Sequence, residues 1–249
     1  MKLDDSGKRA AFMPYLMGGF PSIEGSVAIG EACADNGADV VELGIPFSDP
    51  LADGPVIQAA GSAALRAGAT VDGVLAVCER LAPRLPVVLM CYANLVLARG
   101  PEAFAAALRD HGASGLIVPD LPMEEALLVL EACDAAGIDL VPLVAPTTPD
   151  ERLRRIGARA RGFMYTVSVV GTTGERAALS DAYADVVARA KRATEVPVAL
   201  GFGISTPEQA AQAADAGADG VIVGSRLVRA VADGEDVGAL VAEFTAALA

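Results

Sequence analysis

A short sequence pattern occurs four times along the chain and limits the folds that the chain can adopt. Each copy has a helix-forming stretch, a glycine, a short link and then a run of apolar residues; the glycines are Gly37, Gly112, Gly137 and Gly217. A glycine ends a helix well because it takes a left-handed conformation at little steric cost. A continuous apolar run is typical of a strand that is buried on both faces. Each copy is therefore predicted to join a helix to a strand.

Buried strands that alternate with helices predict a parallel sheet covered by helices. Strand starts are expected near residues 14, 40, 87, 115, 139, 162, 197 and 220, a mean spacing of about 29 residues, which suits one strand and one helix. Eight such units in 249 residues predict a (β/α)8 TIM barrel. No linker divides the chain, so we expect one domain spanning residues 1–249. An open doubly wound sheet is the alternative, but Gly18-Gly19-Phe20-Pro21 lacks its glycine-rich fingerprint.

Composition excludes several classes of function. With 19 basic and 32 acidic residues, the formal charge of −13 repels nucleic acid and anionic lipid, so an anionic ligand is expected to be held by local dipoles. A single histidine, His111, excludes histidine-rich metal sites. The four cysteines have no CxxC spacing, and no apolar run reaches membrane-spanning length, so we expect a soluble protein in a reducing cytoplasm.

Two carboxylates are candidates for chemistry because barrel active sites lie at the carboxyl ends of the strands. Glu42 is set in the apolar run 40–45, where alternation places it on one face with Val40 and Gly44. Desolvation there raises a carboxyl pKa and favours acid–base work near neutral pH. Asp53 follows in a loop rich in proline. The alternatives are a paired structural carboxylate for Glu42 and a turn or capping role for Asp53.

Glycines after the later strands predict a phosphate site. They follow the strands near residues 162, 197 and 220, and Ser225 opens a helix directly after the last of them. Backbone N–H groups and a helix N-terminus can converge there on an anion. The alternative is that the glycines only end strands. A Schiff-base mechanism is excluded because none of the three lysines ends a predicted strand. A divalent metal held by Glu42, Asp53 and Asp120 stays an open alternative, although no motif supports it.

A long motif connects these observations to a known family. Residues 41–58 read VELGIPFSDPLADGPVIQ, which resembles the signature of the tryptophan synthase α chain. Further family motifs follow in family order: Tyr92-Ala93-Asn94, Asp120-Leu121-Pro122, Gly171-Thr172-Thr173-Gly174, residues 201–205 and Gly224-Ser225. The resemblance covers nearly the whole chain from Pro14 onward.

The resemblance implies an aldol-type lyase of tryptophan biosynthesis. The expected reaction is retro-aldol cleavage of indole-3-glycerol phosphate to indole and glyceraldehyde 3-phosphate. The family's catalytic glutamate falls on Glu42, which would protonate C3 of the indole and take the proton of the glycerol hydroxyl. Its catalytic aspartate falls on Asp53, which would hold the indole N–H and stabilise the positive charge of the protonated tautomer.

Further roles and a partner are carried over in the same way. The implied substrate-binding residues are Tyr15, Met90, Tyr165, Thr173 and Phe202, and the implied phosphate-binding residues are Gly174, Gly203, Gly224 and Ser225. No cofactor or metal is expected on this chain. Pyridoxal phosphate is expected only on a partner β chain, which would receive indole within an α2β2 heterotetramer. Asp49, Pro50 and the Thr173 loop would couple to that partner.

Some positions depart from the family pattern, and three other functions stay open. Phe20 replaces a common aspartate, Val169 a basic residue of some members, and Phe163 a tyrosine of some members. The segment before the first strand is also short, so a trimmed N-terminal helix is expected.

The three other functions that stay open are a stand-alone lyase without a partner, a non-catalytic scaffold subunit, and a barrel enzyme acting on another sugar phosphate. Retention of both carboxylates argues against the scaffold.

Overall fold

Parallel strands form one sheet that curls into a nearly closed barrel. The computed structural model describes residues 7–167 and 181–249. The sheet order is β5-β4-β3-β2-β1-β9-β8-β7-β6, and every neighbouring pair is parallel. The strands are β1 (Ala11–Met17), β2 (Val41–Gly44), β3 (Val87–Met90), β4 (Gly115–Ile117), β5 (Asp139–Val141), β6 (Leu143–Val144), β7 (Met164–Val167), β8 (Val198–Gly201) and β9 (Gly220–Val223). This architecture confirms the predicted (β/α)8 barrel; seven of the eight strands start within two residues of the expected position, and β1 starts three residues earlier than expected.

The two outer members of the sheet, β5 and β6, are consecutive in the chain and make one bent barrel strand. Pro142 separates them because it has no backbone N–H to give to the ladder. Its carbonyl still accepts a hydrogen bond of 2.9 Å from the backbone N–H of Tyr165 in β7. The nine strands are thus the eight predicted ones, with the fifth broken at a proline.

Eleven helices in the described part of the chain cover the outside of the barrel. They are α1 (Ile23–Asp35), α2 (Pro55–Arg66), α3 (Val71–Leu81), α4 (Ala93–Arg99), α5 (Pro101–Asp110), α6 (Leu127–Ala136), α7 (Asp150–Gly157), α8 (Asp181–Ala193), α9 (Pro207–Asp215), α10 (Ser225–Asp233) and α11 (Val237–Ala247). Two helices, rather than the expected one, follow β2, β3 and β9. Gly100, with a φ of 89°, and Pro101 divide α4 from α5.

The four repeated glycines act as the sequence predicts. Their φ angles are positive, at 89°, 76°, 73° and 93° for Gly37, Gly112, Gly137 and Gly217. Each follows the last residues of a helix and precedes a strand. A residue with a Cβ atom would be strained there. At the second of these joints, the Nδ1 atom of His111 lies 2.8 Å from the carbonyl oxygen of Ala107, so the single histidine caps the end of α5.

The apolar core has two layers that follow the alternation of the strands. One layer packs the outward face of the barrel against the helices; it also holds all four cysteines, which are buried and unpaired. The inner layer fills the barrel below its mouth with Ala11, Met13, Val40, Val88, Ile117, Val141, Phe163, Tyr165, Ala199 and Ile222. At the other end of the chain, Phe244 of α11 stacks on Phe12 with ring centroids 5.3 Å apart. None of the described helices is long and apolar enough to span a bilayer.

Candidate active site

A cavity of about 170 Å³ opens at the carboxyl ends of the strands. Nine of the residues predicted for the site line it: Tyr15, Glu42, Asp53, Met90, Tyr165, Phe202, Gly203, Gly224 and Ser225. The remaining two, Thr173 and Gly174, lie outside the described residues, as does Val169. The lining residues come from six strands and four loops, and they meet at the place where barrel enzymes carry their chemistry.

Glu42 lies on the inward face of β2, at the upper end of the apolar interior. Its Cα pairs in register with Tyr15 on one side and with Val88 on the other. The side chain is only 2% exposed. Burial, and then the negative charge of Asp53, raise the pKa of Glu42 to about 8. The carboxyl group therefore carries its proton at neutral pH and can both give and take one.

Asp53 reaches the same cavity from the loop between β2 and α2. Tyr92 fixes this loop, because its hydroxyl accepts a hydrogen bond of 3.0 Å from the backbone N–H of Ala52. That hydroxyl also donates to the carboxylate of Asp53, and the Tyr92 ring stacks on Phe47 with centroids 5.3 Å apart. Burial raises the pKa of Asp53 to about 6, although the hydrogen bond from Tyr92 lowers it. Asp53 is thus the stronger acid of the pair.

Tyr92 is a functional residue that the sequence analysis did not single out. Its motif was noted, but it follows β3 in a stretch that otherwise predicts buried core. Only the path of the distant loop makes its hydroxyl a partner of Asp53. A buried tyrosine whose hydroxyl needs a partner is the one signal that could have indicated this role.

Two tyrosines lie near Glu42, one on the adjacent strand β1 and one on β7, and each packs over a glycine of a neighbouring strand. Tyr15 of β1 lies over Gly44, and Tyr165 of β7 lies over Gly201. A Cβ atom at either glycine would overlap the tyrosine ring or hydroxyl. Burial raises the pKa of both phenols well above the ordinary value, with a further contribution from Asp53 and then Glu42 at Tyr15 and from Glu42 at Tyr165, so both stay protonated.

An aromatic wall bounds the cavity beside these tyrosines. Tyr165 lies between Phe163 and Phe202, with ring centroids 6.5 Å and 6.0 Å away. Phe202 has a φ of 68°, which is a left-handed conformation that is rare for a bulky residue and costs roughly 1–3 kcal/mol. Met90 and the flanking apolar groups complete a slot that suits a flat aromatic ligand.

Another part of the cavity lining is suited to an anion. Helix α10 begins at Ser225 with Gly224 as its N-cap, so its unpaired N–H groups and positive dipole end face the cavity. Arg226 and Arg229 also line the cavity, and Arg226 pairs with Glu235. The structure therefore adds two guanidinium groups, which the sequence analysis did not predict, to the local dipoles that it did predict. The two arginines lie three residues apart and so share one helix face.

Asp120 does not join the two carboxylates. Its side chain accepts a hydrogen bond of 2.9 Å from the backbone N–H of Ala93 and lines a separate cavity of about 320 Å³ beside α6 and α7. Among residues 7–167 and 181–249, no group of three or more acidic, histidine or cysteine side chains is placed to hold a metal ion. The site therefore combines two carboxyl groups of unequal acidity, an aromatic slot and a helix N-terminus suited to an anion, all lining one cavity.

Comparison with protein families gives one clear match. The family described as tryptophan synthase alpha chain matches residues 1–247. The tryptophan synthase alpha chain of Trichodesmium erythraeum is 45% identical over 93% of this chain and 88% of its own length. That of Gloeobacter violaceus is 49% identical over 90% of this chain and 82% of its own length.

Solved structures give the same result for the fold. Mycobacterium tuberculosis tryptophan synthase superposes with a TM-score of 0.90 at 41% identity, over 96% of this chain and 93% of the other. A structure of the tryptophan synthase a2b2 complex from Pyrococcus furiosus gives a TM-score of 0.88 at 36% identity, over 97% and 98% of the two chains.

Proposed function

The chain belongs to the tryptophan synthase alpha chain family, and on that premise we propose that it cleaves indole-3-glycerol phosphate to indole and glyceraldehyde 3-phosphate. The observation that carries the proposal is the pair of carboxyl groups of unequal acidity, Glu42 and Asp53, in a cavity that is also lined by the N-terminus of α10. The protein is then a lyase of tryptophan biosynthesis.

The proposed cycle begins with proton transfer from Glu42. The Glu42 carboxyl group gives its proton to C3 of the indole ring, and the ring nitrogen becomes positively charged. The Asp53 carboxylate accepts a hydrogen bond from the indole N–H and stabilises that charge. Glu42, now a carboxylate, removes the proton of the hydroxyl on the adjacent carbon. The carbonyl bond forms, the carbon–carbon bond breaks, and its electron pair returns to the ring as indole.

The rest of the site would hold and orient the substrate. Tyr165, Phe202 and Met90 line the slot for the indole ring, and Tyr15 lies at its base. Gly203, Gly224 and Ser225 present backbone groups to the phosphate, with Arg226 and Arg229 beside them. We assign Thr173 and Gly174 to the same functions on the family resemblance alone. The chemistry requires only carboxyl groups, so no cofactor of this chain is proposed.

A partner β chain is the second part of the proposal. The loop that carries Asp53 also presents Leu51, whose side chain is 85% exposed, next to Asp49 and Pro50. Leu51 is an exposed apolar side chain, as is typical of a protein–protein contact. Because Tyr92 connects the same loop to the active site, a partner bound at Leu51 would be coupled to the position of Asp53. We propose an α2β2 assembly in which this loop and the Thr173 segment couple to the partner. Indole would pass to pyridoxal phosphate on the β chain. The unpaired buried cysteines support a cytoplasmic location.

Indole release by the purified chain tests both parts. We expect slow release of indole from indole-3-glycerol phosphate by the chain alone and a sharp rise when a cognate β chain is added. Fast release without a partner effect would instead favour the stand-alone lyase. No release under either condition would overturn the catalytic proposal and leave a barrel that acts on another sugar phosphate or serves as a scaffold.

The dependence of the cleavage rate on pH gives a separate prediction. Glu42 must be protonated to act first, so the rate should fall as the pH rises through about 8. Asp53 must be ionised, so the rate should also fall as the pH drops through about 6. The profile of kcat/KM should therefore be a bell with its maximum near neutrality. A rate that keeps rising above pH 9 would contradict the role of Glu42 as the first acid.

A further inference from the structure

Two buried side-chain oxygen atoms in the described part of the chain have no hydrogen-bond partner there. They are the hydroxyl oxygen of Tyr15 and the Oε2 atom of Glu42. Buried polar atoms are nearly always paired, since leaving one unpaired costs about 1–3 kcal/mol. Two such atoms together therefore indicate a place that is built to be completed by a ligand.

The two atoms belong to one place in the barrel. Tyr15 and Glu42 are Cα partners in the ladder between β1 and β2, and both side chains line the same cavity. Tyr15 is 4% exposed and Glu42 is 2% exposed. Gly44, next along the inward face of β2, leaves the space into which the Tyr15 hydroxyl projects. The two oxygens do not bond to each other, so both are open to a ligand in the cavity that the two side chains line.

The chemistry of the two atoms defines that group. The phenol of Tyr15 stays protonated and can donate a hydrogen bond, whereas an ionised Glu42 can only accept one. A ligand group that pairs with both atoms must accept a hydrogen bond from the Tyr15 hydroxyl and donate one to the Glu42 carboxylate. An alcohol does so with a single oxygen atom, which makes a substrate hydroxyl the matching ligand.

We propose that Tyr15 is a further catalytic residue, whose hydroxyl donates a hydrogen bond to the same substrate oxygen from which Glu42 removes the proton. This inference rests on the proposed function. As the O–H bond breaks, negative charge builds on that oxygen before the carbonyl bond forms and the carbon–carbon bond breaks. A fixed donor in a dry site stabilises that charge more than water would. Tyr15 keeps its own proton throughout.

The family resemblance assigned Tyr15 only to the wall of the indole slot, and the two roles predict different results. A wall residue acts through its ring, which phenylalanine also supplies. A hydrogen-bond donor acts through its hydroxyl, which phenylalanine lacks. Tyr15→Phe is therefore the discriminating variant. It also removes an unpaired buried hydroxyl, so we expect its melting temperature to equal or exceed that of the wild-type protein.

The test compares the wild type and Tyr15→Phe with two ligands. One is indole-3-glycerol phosphate, and the other is an indole with a three-carbon phosphate chain that lacks the hydroxyl on the carbon next to the ring. We expect kcat for the first to fall by about 10²-fold, the typical effect of removing one donor to a developing oxyanion. The Kd for the second ligand should stay the same, because that ligand offers Tyr15 no oxygen.

The outcomes separate this inference from the proposed function. Wild-type protein that releases no indole would overturn the proposed function itself. Active wild type with an equally active Tyr15→Phe would overturn only the role of Tyr15. A parallel loss of kcat and of affinity for the ligand without the hydroxyl would also overturn it, since that pattern belongs to a residue that only shapes the slot.

Discussion

Replacing Glu42 by glutamine is expected to lower kcat for indole release by about 10³-fold, within the range of losses for a general acid–base group. Glutamine keeps the size and polarity of the side chain but can neither give nor take the proton. Asp53 cannot replace it, because Asp53 is placed to hold the ring and its pKa of about 6 leaves it largely ionised at neutral pH, without a proton to give. KM should change little, since the contacts to the ring and the phosphate remain.

A steady-state indole assay measures this effect, and Glu102→Gln is the matched control. Glu102 is an exposed glutamate at the start of α5 and does not line the cavity. The control should keep wild-type kcat. A loss of less than about tenfold in Glu42→Gln would contradict the assigned role, because that is below the contribution of a general acid–base group.

The same variant should be more stable than the wild type at alkaline pH. In the folded protein the pKa of Glu42 is about 8, against 4.5 in the unfolded chain. Above pH 4.5 the unfolded chain releases this proton while the folded protein retains it, so the wild type loses stability as the pH rises towards 8. The loss is on the order of 4 kcal/mol. The advantage of Glu42→Gln in free energy of unfolding should therefore grow between pH 5 and pH 8, which urea titrations at the two pH values would measure.

Asp53→Asn is expected to lower kcat by about 10²-fold through loss of charge rather than loss of a proton donor. The asparagine carbonyl can still accept a hydrogen bond from the indole N–H, but it cannot balance the positive charge that forms on the ring. The negative charge of Asp53 also raises the pKa of Glu42. The alkaline limb of the pH profile should therefore move to lower pH in this variant.

A shift of the alkaline limb of the pH profile in Asp53→Asn would show that Asp53 acts on Glu42 through its charge. Asp110→Asn, an exposed aspartate at the end of α5, should leave both kcat and the profile unchanged. A lower kcat in Asp53→Asn with an unmoved alkaline limb would mean that the two carboxyl groups do not interact. The assignment of Asp53 as the charge beside Glu42 would then fail.

Much of the fold could be predicted because the helix-to-strand joints are local. A glycine with positive φ and a buried apolar run each depend on a few neighbouring residues, so the strand starts could be placed from the repeat alone. The break at Pro142 and the paired helices after β2, β3 and β9 were not predicted. These features depend on the path of the chain around the outside of the barrel. The spacing of the predicted strands does not indicate that path.

In the candidate site, too, the residues marked by local sequence could be predicted, and the contacts between distant residues could not. Glu42 could be found from the sequence because a carboxylate inside an apolar run is unusual, and Asp53 because the family motif includes it. The hydrogen bond from Tyr92 to Asp53 and the fit of Tyr15 over Gly44 could not be found. Both join residues that are distant in sequence, and only the closed sheet defines their distance. The guanidinium groups of Arg226 and Arg229 were missed because an arginine on a helix is ordinarily solvent-exposed.

The closure of the barrel also bears on how the chain folds as it leaves the ribosome. Strand β1 pairs with β9, so Ala11 lies beside Gly220, more than 200 residues later, and Phe12 stacks on Phe244. A nascent chain therefore carries one edge of its first strand unpaired until the last strand has emerged. An apolar strand edge left open is an aggregation hazard, and contacts so distant in sequence form slowly. Residues 220–249 thus complete the protection of β1.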